Sequence, residues 1–214
     1  MSDAMTGAAI ALRQGGPMHY DGIYVTGVGV RLGDQVRTPA MVRRGALAVA
    51  DVRRTRQRSV CVAPEGSGGS GPELAVAAAR QAVRGHEQTT GLRPAIRVHL
   101  HAQMFDKPDF WSAACFVLGQ LGVTGCGVVC DIGAMSNGAV LGLDVAASLL
   151  GARPDLHTAL ITTGDRFAGD RFARYRSDYG VLYGTREPRW CSAAPQGSRG
   201  WCRRPRAPTP CWRD

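Results

Sequence analysis

Lysine is almost absent from this chain. Lys107 stands alone among 26 basic residues, and arginine supplies the rest. That skew points to a GC-rich coding sequence rather than to a binding surface. Long apolar runs are also missing: none approaches the roughly 18 residues that cross a bilayer, which argues against a membrane partner or a transmembrane reading. No basic segment precedes the short apolar stretch at residues 8–12, so a secretory signal is not expected. Seven cysteines, an odd number in 214 residues, argue against a disulfide scaffold and for a cytoplasmic, reducing location. The length allows a sizeable core, as one domain or as part of a larger one.

The net charge of +9 is unevenly spread. Residues 185–214 carry seven arginines against Glu187 and Asp214, which leaves residues 1–184 at +4. The body is only mildly basic, so no nucleic-acid partner is expected. The same tail has no Leu, Ile, Val, Met or Phe, so it has no periodic face to bury and reads as irregular. A zinc site through Cys191, Cys202 and Cys211 lacks ligand-like spacing and a nearby histidine. A basic nucleic-acid-binding tail would show steep salt dependence. A frameshift accounts for the segment better. Trp190-Cys191 must be encoded TGG-TGY, and restoring one lost base with GC-rich codons turns residues 184–202 into an apolar run opening Gly-Asp-Ala-Gly, as a buried strand would.

The chain therefore divides into a flexible N-terminus (1–22), a folded body (23–184) and the tail (185–214). Within the body, residues 23–30 read as a first strand whose Gly27 and Gly29 permit close packing. Residues 38–58 form a helical region, followed by an apolar run at 59–63. A flexible Gly/Ser connection at 66–71 leads into an alanine-rich helix over 72–85. Strand-like alternation at 95–101, helical spacing over 109–122 and a short strand at 127–131 follow. The helix at 139–151 is apolar except for Asp144 and Ser148, so burial on most faces is expected. A strand at 158–163 and the start of another at 180–183 complete an α/β pattern, with a mixed, mostly parallel five-stranded sheet around the buried helix.

The chemistry concentrates in Asp131-Ile-Gly-Ala-Met-Ser-Asn-Gly138, between a buried strand and a buried helix. A strand-to-helix turn can expose a nucleophile, and the helix start offers unpaired N–H groups and partial positive charge to a developing anion. Gly138 lets the backbone turn tightly. On spacing alone, the N-cap is the favoured reading of Ser136, because it is the commoner use of serine at such a place. Other candidates are weaker. Cys115 reads as a small core residue, and Cys126 and Cys130 as structural. His99 and His101 share one strand face, as two metal ligands would, but no third ligand lies nearby. The Gly-rich stretch at 66–71 lacks a phosphate-loop ending, and Gly27-Val-Gly29 lacks the third dinucleotide glycine.

Four stretches resemble the N-terminal half of a β-ketoacyl-acyl carrier protein synthase III, a member of the thiolase superfamily. Phe110-Trp-Ser-Ala-Ala-Cys115, with Leu121-Gly122 after it, resembles the family's Phe-Pro-Ser-Ala-Ala-Cys segment. Asp131 to Gly138 resembles its nucleophile turn, Asp-(Leu/Ile)-x-x-x-Cys-x-Gly. The stretch from Asp165-Arg166 to Arg176 resembles the variable segment before the next strand. Val181-Leu-Tyr-Gly184 stops where the family has Gly-Asp-Gly-Ala-Gly-Ala, which the restored frame supplies. Asn137, Pro64-Glu65 and Pro72-Glu73-Leu74-Ala75 are similar to the synthase III-like proteins of actinobacterial polyketide pathways.

The resemblance implies a thiolase-like half fold and an acyltransferase that takes an acyl group from acyl-CoA to an acyl carrier protein or a small acceptor. It implies no bound cofactor or metal. Ser136 would carry the acyl group in place of the family's cysteine, which favours acyl transfer through an ester over decarboxylative condensation. A serine hydroxyl needs a general base. The family's catalytic His and Asn lie beyond residue 184, so a poorly active chain, or one acting only by partner binding, is expected. The N–H groups around Asn137 and Gly138 would help hold the oxyanion. The resemblance further implies that the region of Arg43 and Arg44 lies near the pantetheine entrance, where one of them would meet a CoA phosphate. Phe110 resembles the residue that reaches toward the partner's acyl pocket in a homodimer. A lone half would also expose the apolar face that its twin covers.

Overall fold

The computed structural model describes residues 20–62, 69–105, 108–167 and 172–184. Expectations for the tail, for Pro64-Glu65 and for most of the N-terminus and the Gly/Ser connection fall outside these residues.

Three parallel strands form the main sheet in the order β4-β3-β5: β3 (Val98–Ala102), β4 (Val128–Ile132) and β5 (Ala159–Thr163). The register aligns Leu100 with Cys130 on one side and with Ile161 on the other. β3 and β5 are buried throughout; β5 accordingly reads as an apolar run, whereas β3 alternates because it buries two hydrogen-bonded histidines. Alternation sends Val98, Leu100 and Ile161 into a cluster with Ala146 and Leu150 of α5 (Gly138–Ala152). On the opposite face, Leu160 packs with Ala75, Ala79 and Ala82 of α3 (Gly71–Thr90) and with Val117 of α4 (Ala113–Leu121). Small residues on α3 let it lie close. Gly27 and Gly29 run against the Ala82 and Ala78 carbonyls, where any Cβ would collide with backbone. This is the close packing expected of those glycines.

Residues 23–30 themselves form only an isolated bridge rather than a strand. The helical region at 38–58 is split into α1 (Thr38–Arg43) and α2 (Val49–Thr55), because Gly45 takes φ +71 between them. An unexpected strand β1 (Asp34–Arg37) pairs antiparallel with β2 (Ser59–Val62). The five strands therefore divide into a three-stranded and a two-stranded sheet. The two-stranded sheet and α1 share a small core of their own, Met41, Leu47, Val60 and Leu182. Residues 180–183 form no strand, yet Gln57 holds Leu182 as a strand neighbour would, accepting from its N–H at 2.6 Å and donating to its carbonyl at 3.2 Å.

α5 departs from expectation in two ways. Residues Met135–Ala152 have a mean hydropathy of 1.3 over 18 residues, so one segment does reach membrane-spanning length and composition. Its Gly142, Ala146 and Leu150 nevertheless pack into the sheet as a core helix does. Burial is also one-sided: Val140 and Leu141 face outward. Asp144, its one acid, accepts a hydrogen bond from the Tyr20 hydroxyl.

Candidate active site

Strand β4 ends at Ile132, and the chain reaches α5 through a single 3₁₀ turn, Met135–Asn137. Met135 has φ +48, a left-handed conformation that a bulky side chain rarely adopts. Gly138 is buried against β3, where an added Cβ would stand 2.7 Å from the Ala102 Cβ. Strand, left-handed step and glycine-tight helix start together lift Ser136 to the surface at the carboxyl edge of the sheet. Among the described residues its hydroxyl has no hydrogen-bond partner.

The cap reading of Ser136 does not hold. Asn137 is the residue at the helix boundary, and its side chain makes no capping bond. The two amides expected to help hold the oxyanion are engaged within the turn. The Asn137 N–H donates to the Ala134 carbonyl at 3.1 Å and the Gly138 N–H to the Met135 carbonyl, as 3₁₀ geometry requires. The Ser136 N–H has no acceptor among the described residues, so the unused donor nearest the hydroxyl belongs to Ser136 itself.

The other sequence-selected residues belong to other elements. Phe110 is 98% exposed in the loop before α4, beside Trp111, whose ring meets Phe116 at 5.0 Å. Arg43 and Arg44 are exposed at the end of α1, and their side chains make no hydrogen bond or ion pair among the described residues. Cys115, expected in the core, is exposed on the outer side of α4. Cys130 is exposed on β4, the edge strand, and Cys126 is half-buried. Among the described residues no group of three or more His, Cys, Asp or Glu could hold a metal ion.

Beneath α4 the sheet contains a polar chain that composition did not reveal. His99 and His101 are fully buried on one face of β3, as the alternation placed them. Loss of hydration holds His99 down to about 3, with repulsion from His101 adding to it, and holds His101 down to about 4 against the pull of Asp131. Both rings are therefore neutral, and the contacts fix their tautomers. His99 Nδ1–H must donate to the Ala114 carbonyl at 3.0 Å. Its Nε2 then accepts from the Thr162 hydroxyl at 2.9 Å. Thr162 has no second proton, so it accepts from His101 Nδ1–H at 2.8 Å. The remaining His101 nitrogen, Nε2, is buried, and the Gln103 side chain acts on the ring as a further hydrogen-bonding neighbour. Asp131 anchors α4 by accepting from the Ala114 N–H at 2.8 Å. Asp165 ties the end of β5 to the Met104 and Phe105 N–H groups. The sequence cue to the histidine pair was the His-x-His spacing inside a strand.

This arrangement, with a central apolar helix, a parallel sheet and a helix pair on the far face, is the thiolase-like α/β fold. No family model matches the sequence, and no curated protein matches it. Solved structures do. An acyltransferase, ChlB3, superposes with a TM-score of 0.68 at 25% identity, covering 78% of this chain and 49% of its own. The 3-oxoacyl-[acyl-carrier-protein] synthase III of Aquifex aeolicus gives a TM-score of 0.65 at 22% identity, with coverages of 81% and 54%. OleA of Xanthomonas campestris, in a Cys-to-Ser variant with bound lauric acid and lauroyl-CoA, gives 0.55 at 17% identity, with coverages of 70% and 45%. The chain thus spans about half the length of the synthase III-like structures it matches.

Proposed function

We propose that this chain carries the nucleophile of a cytoplasmic, homodimeric acyltransferase of the 3-oxoacyl-acyl carrier protein synthase III type. The acyl group would pass from acyl-CoA to a carrier protein or a small acceptor. The observation that supports this reading is the exposed Ser136 hydroxyl at the start of α5, without a hydrogen-bond partner among the described residues and raised by the left-handed step at Met135. In the first step Ser136 Oγ attacks the thioester carbonyl and loses its proton to a base. The carbonyl oxygen becomes an anion near the Ser136 N–H and the positive end of α5. Collapse breaks the carbon–sulfur bond, and the CoA thiolate leaves and takes up a proton. The acceptor then takes the acyl group from the ester by the same route in reverse. Phe110 is assigned to the dimer contact, and Arg43 and Arg44 to the CoA phosphates.

No base contacts Ser136 Oγ among the described residues, so this chain alone is expected to turn over little. That same observation favours a second reading, a pathway protein without catalysis that acts by binding its partner. A thiol at position 136 separates the two, because it is partly ionised without a base. Intact-mass spectrometry after incubation with an acyl-CoA should show one acyl adduct on Ser136→Cys, a slow or undetectable one on the unaltered chain, and none on Ser136→Ala. If Ser136→Cys stays unmodified, or carries its adduct elsewhere, the catalytic reading fails and the binding reading stands.

A further inference from the structure

The amino-terminal end of the sheet carries a second concavity, at the opposite end of the strands from Ser136 and about 16 Å away by strand length alone. There α3 and the segment closing α4 wall a groove of about 260 Å³. Arg80, Arg84 and Arg93 stand around it, and Glu87 is the one carboxylate in its lining. An adjoining hollow of about 250 Å³ shares Arg93, Ile96 and Val123 and adds Arg97. None of these four guanidinium groups is paired with a carboxylate among the described residues, so the lining holds an excess of three positive charges.

Three of the four are held in place. Arg80 donates to the Gln120 carbonyl at 3.0 Å, Arg93 to the Leu121 carbonyl at 3.4 Å, and Arg97 to the Gly125 carbonyl at 2.7 Å. Each bond uses one N–H of a five-donor fork and leaves the others for a ligand. Arg84 makes no side-chain bond among the described residues. The floor is apolar: Val83, Leu121 and Val123 flank the core cluster between α3 and α4 and also line the groove. Fixed cations over an apolar floor suit a molecule that is anionic at one end and greasy at the other. The charge excess favours a phosphate, at −1.5 to −2 near neutral pH, over a single carboxylate. A volume near the lower end of ligand pockets favours a short apolar body.

We propose that this groove binds an organic phosphate with a short alkyl or similarly apolar body, independently of the chemistry at Ser136. The head group sits among Arg84, Arg93 and Arg80, and the body lies on Val83 and Leu121. Octyl phosphate below its micelle concentration is the probe, titrated calorimetrically into the full chain. Saturable one-to-one binding that weakens with added salt is expected, with inorganic phosphate and octanol each about tenfold weaker or worse. Arg84→Glu should lower the affinity about tenfold or more. It should leave thermal unfolding unchanged, because Arg84 makes no side-chain bond among the described residues. Val83→Asn should weaken octyl phosphate but not inorganic phosphate. Equal affinity for inorganic phosphate, indifference to Arg84→Glu, or capture only by anionic phosphatidylglycerol vesicles without saturable binding of the monomer would each overturn the proposal.

Discussion

His101 donates to Thr162 across 2.8 Å, and that contact orders the two buried imidazoles, because the threonine proton is thereby directed to His99. Thr162→Val keeps the shape but removes both the donor and the acceptor. His99 Nε2 and His101 Nδ1–H would be left unpaired in the core. A loss of about 2–4 kcal/mol in unfolding free energy is expected by urea titration, with Thr162→Ser much closer to the unaltered chain.

Acid should weaken the same core. In the unfolded chain both imidazoles titrate near 6.5, whereas folded they are held at about 3 and about 4. Between those limits the unfolded chain binds more protons, so their contribution is complete above pH 6.5 and falls as the pH drops. The slope is up to about 3 kcal/mol per pH unit for the pair. Denaturant midpoints measured from pH 7 to pH 4 should fall accordingly, and His101→Gln should flatten the dependence by about half.

Two glycines in helices should respond in opposite directions. Gly138→Ala forces a methyl against Ala102 and should cost about 1–3 kcal/mol, because the helix start cannot retreat without moving Ser136. Gly119→Ala in α4 meets nothing within 4 Å and should add about 0.5–1 kcal/mol through helix propensity. Thermal melts of the two variants, run side by side, check both signs.

Asp165 holds two backbone donors at the carboxyl edge, Met104 at 2.9 Å and Phe105 at 2.6 Å. Asp165→Ala leaves both N–H groups without this acceptor and should cost about 2–4 kcal/mol. Hydrogen exchange at residues 104 and 105 should accelerate more than exchange in β4, which locates the damage.

The sequence disclosed the parallel sheet and its helices because burial on both faces leaves a strong signal. β4 and β5 were readable as short apolar runs and β3 by its alternation, and Gly138 marked the start of α5 within a residue. β1 was not readable: Asp34, Gln35 and Arg37 are exposed or nearly so, and no alternation betrays a strand whose neighbours supply its order. The extended stretch at 23–30 looked like a strand because its glycines and β-branched residues suit one. Its contacts are instead to α3 backbone, a long-range fact that local pattern does not carry. Gly45 could have split the 38–58 helix in advance. At the site, the candidate nucleophile stood out because the residues around Ser136 form one eight-residue run. Which amides remain free was not, since that depends on the 3₁₀ winding of residues 135–137.

The left-handed step at Met135 places the presentation of residue 136 under backbone control. Position 136 can therefore be varied as a reagent slot, with serine, cysteine or a non-natural nucleophile displayed in the same place. Position 135 has less latitude, and a saturation library there should enrich glycine and asparagine over the native methionine and exclude β-branched residues. Anyone recruiting this scaffold for new covalent chemistry has one residue to choose freely and its immediate predecessor to leave alone.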